Sequence, residues 1–338
     1  MRLSPASPLS TGLGPLLAGL VLAMPAAAAS EDSVQHWLDR MSRAVETLNY
    51  RGTLVHVRQG HVDTLRVIHR ADQDGVRERI YSIDGPPREV LRNGNSVRCV
   101  LPGDQPLLLE SQLSGRLLPS LPVSRLIGPD SAYRMRLGGR QRVAGMMTRE
   151  IEIEPRDAYR YGSRVWLEEQ TGMLLRYAVI DRHGNHLQQF SFTEIELGVP
   201  ISDAELEPEL DGTLHSLAIQ SQQARERSVI SAAGRMAARP RVPGGYRLIR
   251  AGQGQSESSV EFEHLLYSDG LASFSIYIER ADDAALSGRI DTVGPIHVYS
   301  AQSGGYQFTV VGKVPAATVD FVGRQLRRSG GAGARLRR

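Results

Sequence analysis

The chain has 338 residues, 41% hydrophobic and 23% charged, with 40 Lys plus Arg against 37 Asp plus Glu. This is the composition of an ordinary soluble globular protein, long enough for about two domains that each bury a core. Its one cysteine, Cys99, excludes an intrachain disulfide.

Residues 1–29 read as a cleaved secretory signal. Arg2 opens a short positive region, Leu13 to Met24 is an apolar run, and Ala26 to Ala29 are small enough for signal peptidase. The run is shorter than the roughly 20 residues a spanning helix needs. A secretory address argues against a nucleic-acid partner.

Val34, Leu38, Met41, Val45 and Leu48 then recur at spacings of three and four, which predicts a helix with an apolar stripe, capped by Asp32 or Ser33. From Tyr50 the pattern changes to short strands, YRGTLVHVR, VDTLRVIHR and VRERIYSI, separated by turn residues. In the first of these, Leu54 and His56 take one face while Val55 and Val57 take the other. Pro86 and Pro87 lead into a hairpin whose two-residue loop is expected at Asn93-Gly94.

Gln112 to Ile127 carries Leu113, Leu117, Leu118, Leu121 and Leu126 punctuated by prolines, and is expected to lie across the open mouth of the sheet. Strands resume at Tyr133 to Leu137, Gln141 to Ile153, Ser163 to Glu168, Gly172 to Asp181 and Leu187 to Leu197. About eleven strands are too many for a flat sheet, so a barrel or half-barrel around a helix is expected. Residues 201–240 lack sustained periodicity and read as a linker, although Leu214, Leu217 and Ile219 allow part of it to lie on a domain. A smaller α+β domain, 241–328, follows, with Ser268-Asp269-Gly270 as a hairpin turn and a closing helix striped by Val319, Val322 and Leu326. The basic Gly-rich tail, 329–338, is expected to be disordered.

No phosphate loop, nucleophile elbow, HExxH or paired-cysteine motif is present, so neither an enzyme nor a bound cofactor or metal is expected. His183 and His186 read as a polar turn with Asp181. Arg156, Arg160 and Arg164, interleaved with Tyr159 and Tyr161, form the most suggestive polar cluster. Guanidinium forks suit the phosphate of a lipid headgroup, and equally suit ion pairs with Glu150, Glu152 and Glu154. A half-barrel must fill its concave side with its own helix or admit an acyl chain. Val55, Val57, Leu65, Val67, Ile80, Trp166 and Leu175 are the candidate lining.

The stretches SIDGPPREVLRNGNSVRCVLPG, RDAYRYGSRVWLEEQTGMLLRYAVIDRHGNHLQQFSF, LLYSDGLASFSIYIER and FTVVGKVPAATVDFVGRQL resemble the RseB/MucB family of periplasmic sigma-factor regulators. The likeness runs through both domains in order, to about Arg328. Met173-Leu174 stands where the family pattern has Leu-Pro, and the tail looks additional. The resemblance implies an N-terminal unclosed antiparallel β-barrel over 30–200, like the LolA and LolB lipoprotein carriers, followed by a small C-terminal α+β domain. It implies binding to the periplasmic domain of an RseA/MucA-like anti-sigma factor, which is thereby shielded from site-1 proteolysis and released when lipid or lipopolysaccharide enters the cavity. Tyr267, Asp269, Gly270, Leu271 and Phe274 are then expected to shape a partner-facing hairpin, or else to be core and turn. A homodimer is left open, and the alternative is a periplasmic lipid or lipoprotein carrier of the LolA type.

Overall fold

The computed structural model describes residues 33–58, 60–94, 96–100, 118, 126–209, 214–218, 240–255, 261–281 and 288–333. The expected signal, most of 112–127 and the last five residues of the tail lie outside them.

Helix α1 (Val34–Thr47) begins where Ser33 accepts a hydrogen bond from the His36 amide at 3.1 Å. Its stripe Trp37, Leu38, Met41, Ala44 and Val45 is buried. Ten antiparallel strands follow: β1 (Tyr50–Arg58), β2 (His61–Asp72), β3 (Gly75–Ser82), β4 (Glu89–Asn93), β5 (Ser96–Val100), β6 (Tyr133–Val143), β7 (Met146–Pro155), β8 (Gly162–Glu168), β9 (Leu174–Ile180) and β10 (His186–Leu197). Together with β11 (Leu214–Ala218) they form one sheet in the order β11-β5-β4-β3-β2-β1-β10-β9-β8-β7-β6. Two five-stranded meanders are thus joined where β1 pairs with β10. The outer strands β11 and β6 do not pair with each other, so the barrel is unclosed.

Helix α1 touches β2 in one meander and β6 and β9 in the other. The curled sheet wraps it, and its buried stripe joins one core with Leu54, Val67, Val165 and Phe192. Leu118 and Leu126, which lie between β5 and β6 in the chain, are both buried in the same core.

Several boundaries differ from the sequence reading. Asn93 pairs with Ser96, so the hairpin loop is 94–95, one residue later than expected. The run expected from Gln141 to Ile153 breaks at Ala144-Gly145, where both residues take positive φ, 50° and 79°. Alanine carries little turn signal, which hid this hairpin.

The first part of the expected linker is bound to the larger domain. Ile201 and Leu206 pack on Ile68 of the convex face, and a 3-10 turn spans Ala204–Leu206. Arg70 and Arg77 hold Asp203 at 2.8 and 2.7 Å, and Arg51 holds Glu205 at 3.0 Å. Below this strap Arg79 and Glu89 form a buried pair at 2.5 Å. The backbone of β11 then pairs with β5. The apolar anchors Ile201 and Leu206, five residues apart, and an acidic set facing an arginine face explain why this stretch docks.

The smaller domain is a six-stranded antiparallel sheet in the order β12-β13-β14-β17-β16-β15. Its strands are β12 (Arg247–Gln255), β13 (Glu261–Ser268), β14 (Ser273–Arg280), β15 (Arg289–Val293), β16 (Ile296–Ser303) and β17 (Tyr306–Gly312). Helix α2 (Ala316–Gly333) covers it through the buried residues Val319, Val322 and Leu326. This helix continues past Arg328 into the stretch expected to be disordered.

Candidate functional site

Successive side chains of a strand point to opposite faces, so register sorts the expected lining. Leu54 faces Leu65 and Phe192, and Val67 faces Ile80. These residues look into the concavity, and alternation along β9 puts Leu175 there with Tyr177. Val55 and Val57 stand on the other side of β1, and Val57 is 36% exposed. Trp166 pairs with Glu150 and Arg176, and the Arg176 guanidinium lies 5.3 Å from its ring on the convex side. Three of the seven expected lining residues therefore face away from the other four. Helix α1 packs into the concavity, and a pocket beside Val45, Tyr50, His69 and Leu118 measures about 10 Å³, room for a water.

The three expected headgroup arginines are not brought together. Arg164 lies beside Glu150 and Glu152 at 3.6 and 4.0 Å, as an ordinary surface ion pair. Arg156 donates through Nε to the Tyr133 carbonyl at 3.2 Å. Arg160 has a side chain with no exposed surface, and each of its nitrogens is engaged within the chain. Nε donates to Asp269 at 2.5 Å, Nη1 to Asp157 and Nη2 to the Gly244 carbonyl. Its cation lies 4.4 Å from the Tyr246 ring centre and 5.9 Å from that of Tyr133. This corrects the headgroup expectation for Arg160, whose role is to join the two domains.

Asp269 has two roles at that seam. Oδ1 accepts from the Leu271 and Ala272 amides at 2.9 and 2.8 Å, which shapes the β13–β14 turn, with Gly270 at φ 106°. Oδ2 accepts from Arg160 and, at 2.9 Å, from the Tyr133 hydroxyl. Burial and the Asp269 charge push the Tyr133 phenol far above its ordinary pKa, so it remains a donor. Leu271 packs on the core of the larger domain, whereas Tyr267 and Phe274 stack within the smaller one at 5.4 Å. The expected partner-facing hairpin thus faces this chain's own larger domain. Around it, Tyr246 and Thr318 hydroxyls donate to the Tyr159 carbonyl at 3.1 and 2.8 Å, and the Tyr159 ring meets Phe321 at 5.4 Å.

A second bridge between the domains was not foreseen. Lys313, the chain's only lysine, donates to Gln188 Oε1 at 2.7 Å. Since that oxygen accepts, Gln188 Nε2 donates to His56 Nε2 at 2.6 Å, which makes this imidazole nitrogen an acceptor. Burial first, then the charges of Arg58, Lys313 and Arg88, lower the His56 pKa to about 4 against the pull of Asp63. Being the lone lysine was the only signal available in the sequence. His61 lies at the exposed β1–β2 turn, and His69 stacks on Tyr50 at 4.7 Å. The His183-His186 stretch is a turn in which Asp181 accepts from the His183 and Asn185 amides.

Two family descriptions match the chain: the MucB/RseB N-terminal domain over residues 33–210 and the MucB/RseB C-terminal domain over 238–327. Sigma factor AlgU regulatory protein MucB of Pseudomonas aeruginosa is 31% identical over 320 residues, 92% of this chain and 96% of that protein. Sigma-E factor regulatory protein RseB of Escherichia coli K12 is 25% identical, over 86% of this chain and 89% of that protein. Among solved structures, the Pseudomonas aeruginosa MucA/MucB complex matches with a TM-score of 0.70 and 30% identity, covering 85% of this chain and 96% of that one. A structure of MucB in complex with MucA(peri) matches at 0.66 and 27%, covering 86% and 97%.

Proposed function

The chain belongs to the MucB/RseB family, and from that premise we propose that it is a periplasmic negative regulator of an extracytoplasmic-function sigma factor. It acts by binding the periplasmic domain of a membrane-anchored anti-sigma factor and covering that partner's site-1 cleavage region. The observation that carries this reading is the match to MucB through both domains, with similar chains solved together with MucA. No helix among the described residues is long and apolar enough to cross a membrane, which fits a partner that supplies the anchor.

Release follows from linkage. A lipid or lipopolysaccharide displaces the partner only as far as it binds the partner-free form more tightly, and a tenfold effect needs about 1.4 kcal/mol of differential affinity. An acyl chain entering the concave face must displace α1, or Leu118 and Leu126, from the core they share.

A protease-protection assay tests the proposal. The mature chain, residues 30–338, is expected to slow site-1 cleavage of the anti-sigma periplasmic domain, and lipopolysaccharide is expected to restore it. Unchanged cleavage in the presence of saturating chain contradicts the proposal.

A further inference from the structure

The hydrogen-bonded chain through Lys313, Gln188 and His56 shares no residue with the Arg160–Asp269 seam, and its polarity is fixed at both ends. Lys313 Nζ, between β17 and α2, donates to Gln188 Oε1 at 2.7 Å, and Gln188 Nε2 donates to His56 Nε2 at 2.6 Å. An ammonium can only donate, so the amide oxygen must turn towards Lys313 and the amide nitrogen towards His56. With its Nε2 accepting, neutral His56 carries its proton on Nδ1, on the side of Asp63, whose Oδ2 lies 3.8 Å away.

A proton added to His56 does not fit this arrangement. The imidazolium has an N–H on both ring nitrogens, which sets donor against donor at the Gln188 amide. Turning the amide over gives the imidazolium its acceptor, but the NH2 group then meets the Lys313 ammonium, which has none to offer. In either orientation one cation loses its hydrogen bond, and the His56 side chain is only 15% exposed, so little water is at hand to replace it. Arg58 on β1, Arg88 from the loop after β3 and Lys313 oppose the proton on His56; Asp63 on β2 favours it, and is itself held by Arg88 at 2.7 Å. His61, in the neighbouring row opposite Arg58, is exposed. Among the described residues, Lys313 ion-pairs with no carboxylate that would keep it in place once Gln188 turns away.

We propose that Gln188 is the pivot of an acid-opened latch between the domains: protonation of His56 turns the amide and frees Lys313 from the larger domain. The latch needs neither a lipid nor a partner chain, and it does not depend on the regulator reading. Burial and the neighbouring cations lower the His56 pKa to about 4, so the latch is shut at neutral pH and opens as pH falls towards that value. Linkage makes the effect reciprocal: a chain without the Lys313 ammonium must protonate His56 more easily.

The test is a nuclear magnetic resonance titration of the 30–338 chain carrying 15N in its lysine side chain. Lys313 is the only lysine, so the single ammonium signal reports on it alone. Between pH 6.5 and pH 3.5 that signal is expected to move in one step from a hydrogen-bonded position to that of free lysine, in parallel with the His56 ring titration. In Gln188→Leu it should lie at the free position throughout. In His56→Gln, whose amide can both donate and accept, it should stay at the bound position. In Lys313→Met the His56 titration should rise by about one pH unit, a tenfold easier protonation, at a pH where the fold is under less acid stress. A Lys313 signal that stays in place while His56 titrates overturns the latch, and so does one that moves equally in His56→Gln. Should the parent unfold before the step is complete, the Lys313→Met titration decides: an unchanged His56 value overturns the proposal, and a rise that high salt reproduces in the parent reflects charge alone and overturns it too.

Discussion

Arg160 Nε lies 2.5 Å from Asp269 Oδ2, a contact between residues 109 positions apart that joins the two domains through side chains almost wholly shielded from solvent. Neither group can be removed without leaving a buried charge. Asp269→Ala is expected to destabilise the chain by about 3–5 kcal/mol, because it strands Arg160 and undoes the β13–β14 turn. Urea unfolding measures this, and a loss under about 1 kcal/mol means that the seam opens freely.

Gly245 adopts φ 87°, and a Cβ there would come within 2.8 Å of Arg160 Nη2. Gly245→Ala combines left-handed strain with pressure on the buried guanidinium. A cost of about 1–3 kcal/mol is expected in the same unfolding assay, together with easier proteolysis between the domains.

The His56 imidazole, with a pKa lowered to about 4 from 6.5, binds a proton in the unfolded chain before the folded one. Its contribution to stability is therefore complete above pH 6.5, declines as pH falls from 6.5 towards 4, and changes no further below. The groups facing it are Arg58, Lys313, Arg88, Asp63 and Gln188. Melting temperatures between pH 7 and pH 4.5 should fall less in His56→Gln than in the parent; identical slopes would mean that this imidazole is not buried neutral.

Two acidic residues on the convex face should behave differently despite similar partners. Glu89 is fully buried against Arg79, and Glu89→Ala is expected to cost about 3–5 kcal/mol. Asp203 has a side chain 73% exposed between Arg70 and Arg77, and Asp203→Ala should change stability little. Thermal melts of the two variants side by side check the ranking.

Much of the fold could be read from residue order. The α1 stripe, the Ser33 cap and the strand alternation of β1 to β5 rest on local chemistry, which a sequence displays. Ala144-Gly145 was missed because alanine seldom takes positive φ, and β15 because Arg289 to Val293 is an edge strand with no buried residue to set a pattern. The face of Val55, Val57 and Trp166 depended on which side of the sheet α1 covers. Arg160 stood out as a polar residue among tyrosines, yet its partner Asp269 lies in another domain, and no local spacing reports such a pairing. The docking of 201–218 was legible only in part, through its few leucines.

The most direct test of the central claim is a pull-down of the 30–338 chain with the periplasmic domain of its anti-sigma factor, repeated with lipopolysaccharide. A stable complex that lipopolysaccharide weakens is the predicted result. No complex, with lipid still co-purifying with the chain, would contradict the regulator and favour a lipid carrier.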